Sequence, residues 1–223
     1  MVRALISPIL FATVLALTAA VPVAAKTVAQ PAEDAPVAEW RRFFTEDPDA
    51  PMIAPAGYDV TIIEYFDYQC PACRASHEPL KQLLAKDRKV RLIFRDWPIF
   101  GPASERSALL AIASKYQSKY VAFHDALFDT PRPLDEDKIK AAAKKAGVDW
   151  AQLQKDGVTH AQDIKELLAR NNEQAEMIGL DGTPGFIIGN VQSFGGRTLA
   201  QFEVSVKEAR KGAGAATPER AKH

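Results

Sequence analysis

The stretch YDVTIIEYFDYQCPAC, residues 58–73, decides the fold. Tyr58 to Phe66 is β-branched and aromatic, which suits a central strand buried on both faces. Pro71 then stands where a first helical turn tolerates a missing N–H, and Leu80, Leu83 and Leu84 continue at helical spacing. Val90 to Phe94 reads as a second strand. Strand, helix and strand make a β-α-β unit with a parallel pair, which places Cys70 and Cys73 at the carboxyl end of the strand and the amino end of the helix.

These are the only two cysteines of the 223-residue chain. A disulfide closing so small a ring gains about 2 kcal/mol by chain entropy, against about 4.7 kcal/mol for a loop of a hundred residues. Stapling the fold is a poor use for such a pair, whereas exchange suits it. A cysteine at a helix amino terminus is favoured as thiolate by free N–H groups and by the helix dipole. Cys70 has that place, and Cys73, one turn inside, is expected to be buried and to resolve mixed disulfides. A structural zinc would need two further ligands, and His77, His124, His160 and His223 show no paired ligand spacing. No metal and no organic cofactor are therefore expected, only the redox-active pair Cys70–Cys73. His77 is expected on the surface or as a cap, and His124 in core-edge packing.

Glu64 interrupts an apolar strand, and alternation directs it inward beneath the cysteine turn. Desolvation would raise its pKa and let it exchange a proton with Cys73; the competing reading pairs it with a lysine or lets it reach solvent. Thr183-Pro184 opens a later strand pair, Gly185 to Ile188 and Val191 to Phe194, joined by Gly189-Asn190. Pro184 marks either a cis bond, leaving the Thr183 backbone free to pair with an extended substrate, or a plain turn.

Between these halves, helical patterns run from a Ser104 N-cap through Tyr116, Lys119 to Phe128, Glu136 to Ala146, a short one after Asp149, and Ala161 to Ile178. A last helix follows a Thr198 cap. The organisation expected is a signal peptide over 1–25, a leader with a short amphipathic helix over 26–50, a first α/β part over 51–101, a helical insertion over 102–179, a second α/β part over 180–211 and a disordered tail over 212–223. Trp40, Phe43 and Phe44 share one face of the leader helix, for docking on the domain or for self-association.

The formal charge is zero, which excludes nucleic acid as an expected partner. Residues 1–25 carry Arg3, an apolar run from Ala4 to Leu17 and the small residues Val23-Ala24-Ala25, a pattern for export with cleavage; an uncleaved anchor is the alternative. A periplasmic or otherwise exported location would supply the oxidising surroundings that a protein disulfide needs.

CPxC after Glu64-Tyr65-Phe66-Asp67-Tyr68, then Arg95-Asp96-Trp97-Pro98-Ile99, an inserted helical block and Gly182-Thr183-Pro184-Gly185-Phe186 carry a likeness. From Tyr58 to Arg210 the chain resembles the DsbA-like family of bacterial thiol:disulfide oxidoreductases. The resemblance implies a thioredoxin-like α/β fold with an inserted helical subdomain. It also implies Cys70 as exposed nucleophile, Cys73 as resolving thiol, Glu64 as buried acid and Thr183-Pro184 as a cis-proline substrate loop. The dipeptide between the cysteines, Pro71-Ala72, departs from the strong oxidants of the family, which carry His at the place of Ala72, so a less extreme Cys70 pKa is expected.

The leading expectation is an exported oxidase acting on protein substrates through mixed disulfides, recharged by a membrane redox partner. An isomerase or reductase kept reduced by such a partner is the alternative, with oligomerisation through residues 37–50. A non-catalytic binding protein on the same fold is the reading from another class.

Overall fold

Alternation along the central strand builds the two faces of the molecule. The structure is a computed structural model that describes residues 35–212. The signal segment, the first part of the leader and nearly all of the tail lie outside the described residues. In chain order the strands are β1 (Met52–Ile53), β2 (Val60–Phe66), β3 (Val90–Asp96), β4 (Gly185–Ile188) and β5 (Val191–Phe194), and they form one sheet of order β1-β3-β2-β4-β5. β2 and β3 are parallel, with Glu64 opposite Phe94 and Phe66 opposite Asp96; β1, β4 and β5 join antiparallel.

Val60, Ile62 and Phe66 of β2 pack with Leu92 and Phe94 of β3 and Phe186 of β4 in one core. Ile63 and Tyr65 point the other way, into a second core with Ile93, Trp97 and Ile187. Each fully buried side chain of this kind contributes about 1.5–3 kcal/mol. Glu64 and Asp96 fall on the first face, so both acids are carried into the larger core by strand register alone.

Helix α1 (Ala35–Thr45) precedes the sheet, and α2 (Pro71–Lys86) connects β2 to β3. Between β3 and β4 stands the expected helical insertion: α3 (Pro102–Ala113), a 3₁₀ turn (Ser114–Gln117), α4 (Tyr120–Asp129), α5 (Glu136–Lys145), α6 (Trp150–Thr159) and α7 (Ala161–Met177). Asp135 and Asp149 cap α5 and α6 by accepting from the N–H groups of Lys138 and Gln152. Helix α8 (Leu199–Lys211) begins with a capping box between Thr198 and Gln201. One expected start is corrected: α3 begins at Pro102, behind Gly101, and Ser104 is not its cap. Pro71 and Pro102 both exploit the first helical turn, and the Ser104 hydroxyl instead donates to Asp67 Oδ1 at 2.7 Å.

The aromatic face of α1 is divided. Phe44 is buried against Tyr65 and Trp97 in the second core, whereas Trp40 and Phe43 stay half exposed. Docking on the domain is therefore what the structure shows for Phe44. The anchor beneath it is ionic: Arg95, fully buried, donates to Asp47 Oδ2 at 2.8 Å, Asn171 Oδ1 at 3.2 Å and the Phe44 carbonyl at 3.0 Å. It fastens the segment after α1 to β3 and α7.

Asp47→Ala leaves that guanidinium buried without its countercharge and is expected to cost about 3–5 kcal/mol in urea unfolding. Replacing both partners, Asp47→Leu with Arg95→Met, is expected to restore most of the loss; equal instability of the single and double variants would contradict this reading.

Candidate active site

The turn Asp67–Cys70 is held by its own hydrogen bonds. Asp67 Oδ1 accepts from the Gln69 N–H at 2.6 Å and the Asp67 carbonyl accepts from the Cys70 N–H at 3.1 Å. Asp67 Oδ2 then accepts from the N–H groups of Ile99 at 2.7 Å and Phe100 at 3.1 Å, tying the loop after β3 to the cysteine turn. The chain enters α2 with Cys70 as N-cap, φ −72° and ψ 123°, and its Sγ accepts from the Cys73 N–H at 3.3 Å. A sulfur thus does what a Ser or Asp oxygen does at an ordinary cap.

Both cysteines are free thiols, the reduced state of the pair. The resemblance implies an exposed Cys70; in the structure it is only 2% exposed, against 0% for Cys73. The reason is the Thr183–Pro184 turn. That peptide bond is cis, and the Thr183 carbonyl lies against the sulfur, accepting from the Cys70 thiol at 3.2 Å. In this reduced state the Thr183 carbonyl is engaged by the Cys70 thiol. Gly185 holds the turn close, since a Cβ there would meet Leu180 Cδ2 at 2.5 Å. Pro71 is exposed and Ala72 half-buried, so the dipeptide forms the rim.

The two thiols are driven apart electrostatically. The Cys73 thiol donating to Cys70 lowers the pKa of Cys70 to about 6; burial opposes this, and the Thr183 side chain and the N–H groups of Cys73 and Ala72 assist. Thr183 Oγ1 is buried with no other hydrogen-bond partner, which leaves it available to the thiolate. Burial, and then the neighbouring Cys70, push Cys73 far up. A histidine between the cysteines is missing, and the value of about 6 lies above the roughly 3.5 typical of DsbA itself.

Glu64 is buried, 2% exposed, and its pKa is raised to about 8 by burial, then by the charges of Asp96 and Cys70. Asp96 is raised to about 7 by burial, although it accepts from the Tyr120 hydroxyl at 2.6 Å. Two carboxyls that each favour the proton thus lie in the larger core, Glu64 within range of the charge of Cys70, and Glu64 borders a cavity of about 250 Å³.

Of the residues singled out in the sequence, Cys70, Cys73, Pro71, Ala72, Thr183 and Pro184 come together at the head of α2, with Glu64 coupled to them by charge. Sequence reasoning missed Asp67, Asp96 and Arg74. The two acids stood inside the quoted EYFDY and RDWPI runs, where a carboxylate at a strand end was the available signal. Arg74 gave none: it donates to the carbonyls of Leu127, Phe128 and Thr130 at the end of α4 and to that of Tyr68, joining the insertion to the cysteine turn. His77 is not on the surface. It is 7% exposed, stacked on Phe128 at 4.7 Å, because the insertion covers that side of α2. His124 lies wholly in the aromatic core, with Nδ1 3.0 Å from the Tyr68 hydroxyl.

Comparison with known proteins places this arrangement in company. The family model described as Thioredoxin matches residues 56–208. A probable disulfide bond formation protein D of Bacillus cereus is 30% identical over 146 residues, which cover 59% of this chain and 67% of that protein. A thioredoxin-like oxidoreductase from Silicibacter pomeroyi superimposes with a TM-score of 0.73 at 35% identity, over 77% of this chain and 98% of that one. The thiol-disulfide exchange protein alpha-DsbA2 from Wolbachia pipientis does so with a TM-score of 0.72 at 26% identity, over 77% and 92%.

The raised pKa of Glu64 has a sign in stability. Folding binds its proton more tightly, so its contribution is complete below about 4.5, the unfolded value, and is lost as pH rises through about 8. Urea unfolding of reduced wild type and Glu64→Gln at pH 5 and pH 9 should show the variant gaining about 1 kcal/mol or more relative to wild type at the higher pH. A constant difference would show that Glu64 is not held protonated.

Proposed function

This chain belongs to the thioredoxin family, in its DsbA-like branch of thiol:disulfide oxidoreductases, and on that premise we propose that it is exported and introduces disulfides into exported proteins. The observation that carries the direction is the asymmetry of the pair: Cys70 lowered to about 6 and Cys73 pushed far up. In the oxidised enzyme, a substrate thiolate attacks Cys70 Sγ, the Cys70–Cys73 bond breaks, and the electron pair leaves on Cys73. Cys73 cannot hold that charge in its buried place, and the protonated Glu64 is the acid that supplies the proton. A second substrate thiolate then attacks its partner's sulfur in the mixed disulfide and expels Cys70. A thiolate with a pKa near 6 is the better leaving group, so the substrate keeps the disulfide and the enzyme keeps two electrons.

Thr183 and Pro184 stand where the substrate strand would lie, and Thr183 releases its carbonyl when the Cys70 thiol is gone. Exposed Ile99 and Phe100, held by Asp67, offer an apolar lip beside the turn for an unfolded chain. Reoxidation returns the two electrons to a redox partner in the membrane. With Ala72 in place of histidine, the pair is a milder oxidant than the CPHC enzymes.

Oxidation of a reduced, unfolded protein by wild type and Cys70→Ser tests the reading: the variant is expected to be inactive, and Cys73→Ser to accumulate mixed disulfides. Equilibrium with glutathione should be less oxidising than for CPHC enzymes. Activity of Cys70→Ser equal to wild type would overturn the proposal.

A further inference from the structure

One cavity of the described residues contains a donor set that the disulfide chemistry does not use. Its walls are apolar side chains of α2, β3 and α4, among them Leu80, Phe94 and Val121, and its volume is about 250 Å³. His77 of α2 and His124 and Asp125 of α4 face it together, and each offers one nitrogen or oxygen within 4.8 Å of the others. His77 lies one turn along α2 from Cys73.

The individual groups are set up as ligands. His77 Nε2 is buried with no hydrogen-bond partner, 3.3 Å from Asp125 Oδ1, so a polar atom nine-tenths buried points at an acid without a satisfied bond. An unpaired buried nitrogen is costly, and a cation would recover that cost. His124 Nδ1 lies 3.0 Å from the Tyr68 hydroxyl, and in the tautomer whose Nδ1–H donates to that oxygen Nε2 keeps its lone pair. An outer partner that fixes the ring in this way is the usual support of a metal-ligating histidine.

We propose that His77, His124 and Asp125 form a binding site for a divalent late first-row cation, Zn²⁺ being the best match to two imidazoles and a carboxylate. Three protein ligands leave a fourth position open to the cavity. A spread of up to 4.8 Å exceeds the roughly 3.4 Å between ligands at tetrahedral zinc, so the side chains must close inward on binding. Asp125 has the freedom to do so, its side chain being 32% exposed. Lys81 opposes the cation, with Nζ 3.7 Å from Asp125 Oδ2; it is itself 39% exposed and also faces Glu78 at 3.9 Å, towards which it can turn. The spacing of the histidines hides such a site, because its ligands come from two helices that only the insertion brings together.

The test is a Zn²⁺ titration of the full chain carrying Cys70→Ser and Cys73→Ser, which removes the thiol ligands, in competition with a colorimetric chelator at neutral pH. One equivalent is expected to bind, to raise the thermal midpoint, and to be weakened about tenfold or more by Asp125→Asn and by His77→Gln. Lys81→Ala, which removes the opposing charge, is expected to tighten it. Asp125→Asn changes a partly exposed group, so the comparison survives if His77→Gln fails to fold. No saturable binding, or binding undiminished in Asp125→Asn, would overturn the proposal and leave the cluster as a polar staple between α2 and α4.

Discussion

The contact from the Cys73 N–H to Cys70 Sγ, at 3.3 Å, joins the start of a helix to the chemistry of a thiol. It completes the first turn of α2, and it delivers the dipole of that helix to the sulfur that must carry charge. Everything around the turn keeps this geometry. Asp67 closes the approach and binds the loop after β3, Arg74 ties the turn to α4, and the Thr183 turn seals the sulfur from the far side. The fold and the reactive centre therefore cannot be separated: what caps the helix is what reacts.

The second constraint is the cost of charge in the larger core. Strand alternation carries Glu64 and Asp96 inward, where burial raises both and the charge of Asp96 raises Glu64 further. In most cores this would be a liability. On the proposed mechanism the charge released on Cys73 arises in this same buried core, and a Glu64 carboxyl that still holds its proton near neutral pH would be suited to meet it. The opposite face solves its own buried charge differently, by pairing Arg95 with Asp47 and with two further acceptors, the Asn171 side chain and the Phe44 carbonyl.

The central strand, the cysteine helix and the hairpin were legible because each is a local pattern: β-branched residues before a Pro-capped turn, and a Gly189-Asn190 turn between two short strands. Glu64 was legible because alternation is a period of two. What local pattern could not show is anything made by docking the insertion. His77 looked like a surface residue on its helix, yet α4 covers it; the resemblance implied an exposed Cys70, yet Thr183, far along the chain, closes over it. Ser104 has the composition of a cap, but Pro102 starts the helix earlier and frees the hydroxyl for Asp67. In each case a contact distant in sequence outweighed a sound local preference.

The claim at the centre is that the Cys73 thiol, assisted by the helix cap, and the burial of Cys73 split two neighbouring thiols into a thiolate and a thiol. Following thiolate ultraviolet absorbance of the reduced protein against pH measures that split directly. The structure requires a single thiolate to appear with a midpoint near 6, while Cys73 stays protonated beyond the ordinary thiol range. Two thiols titrating together near the unperturbed value of about 8.5 would contradict it.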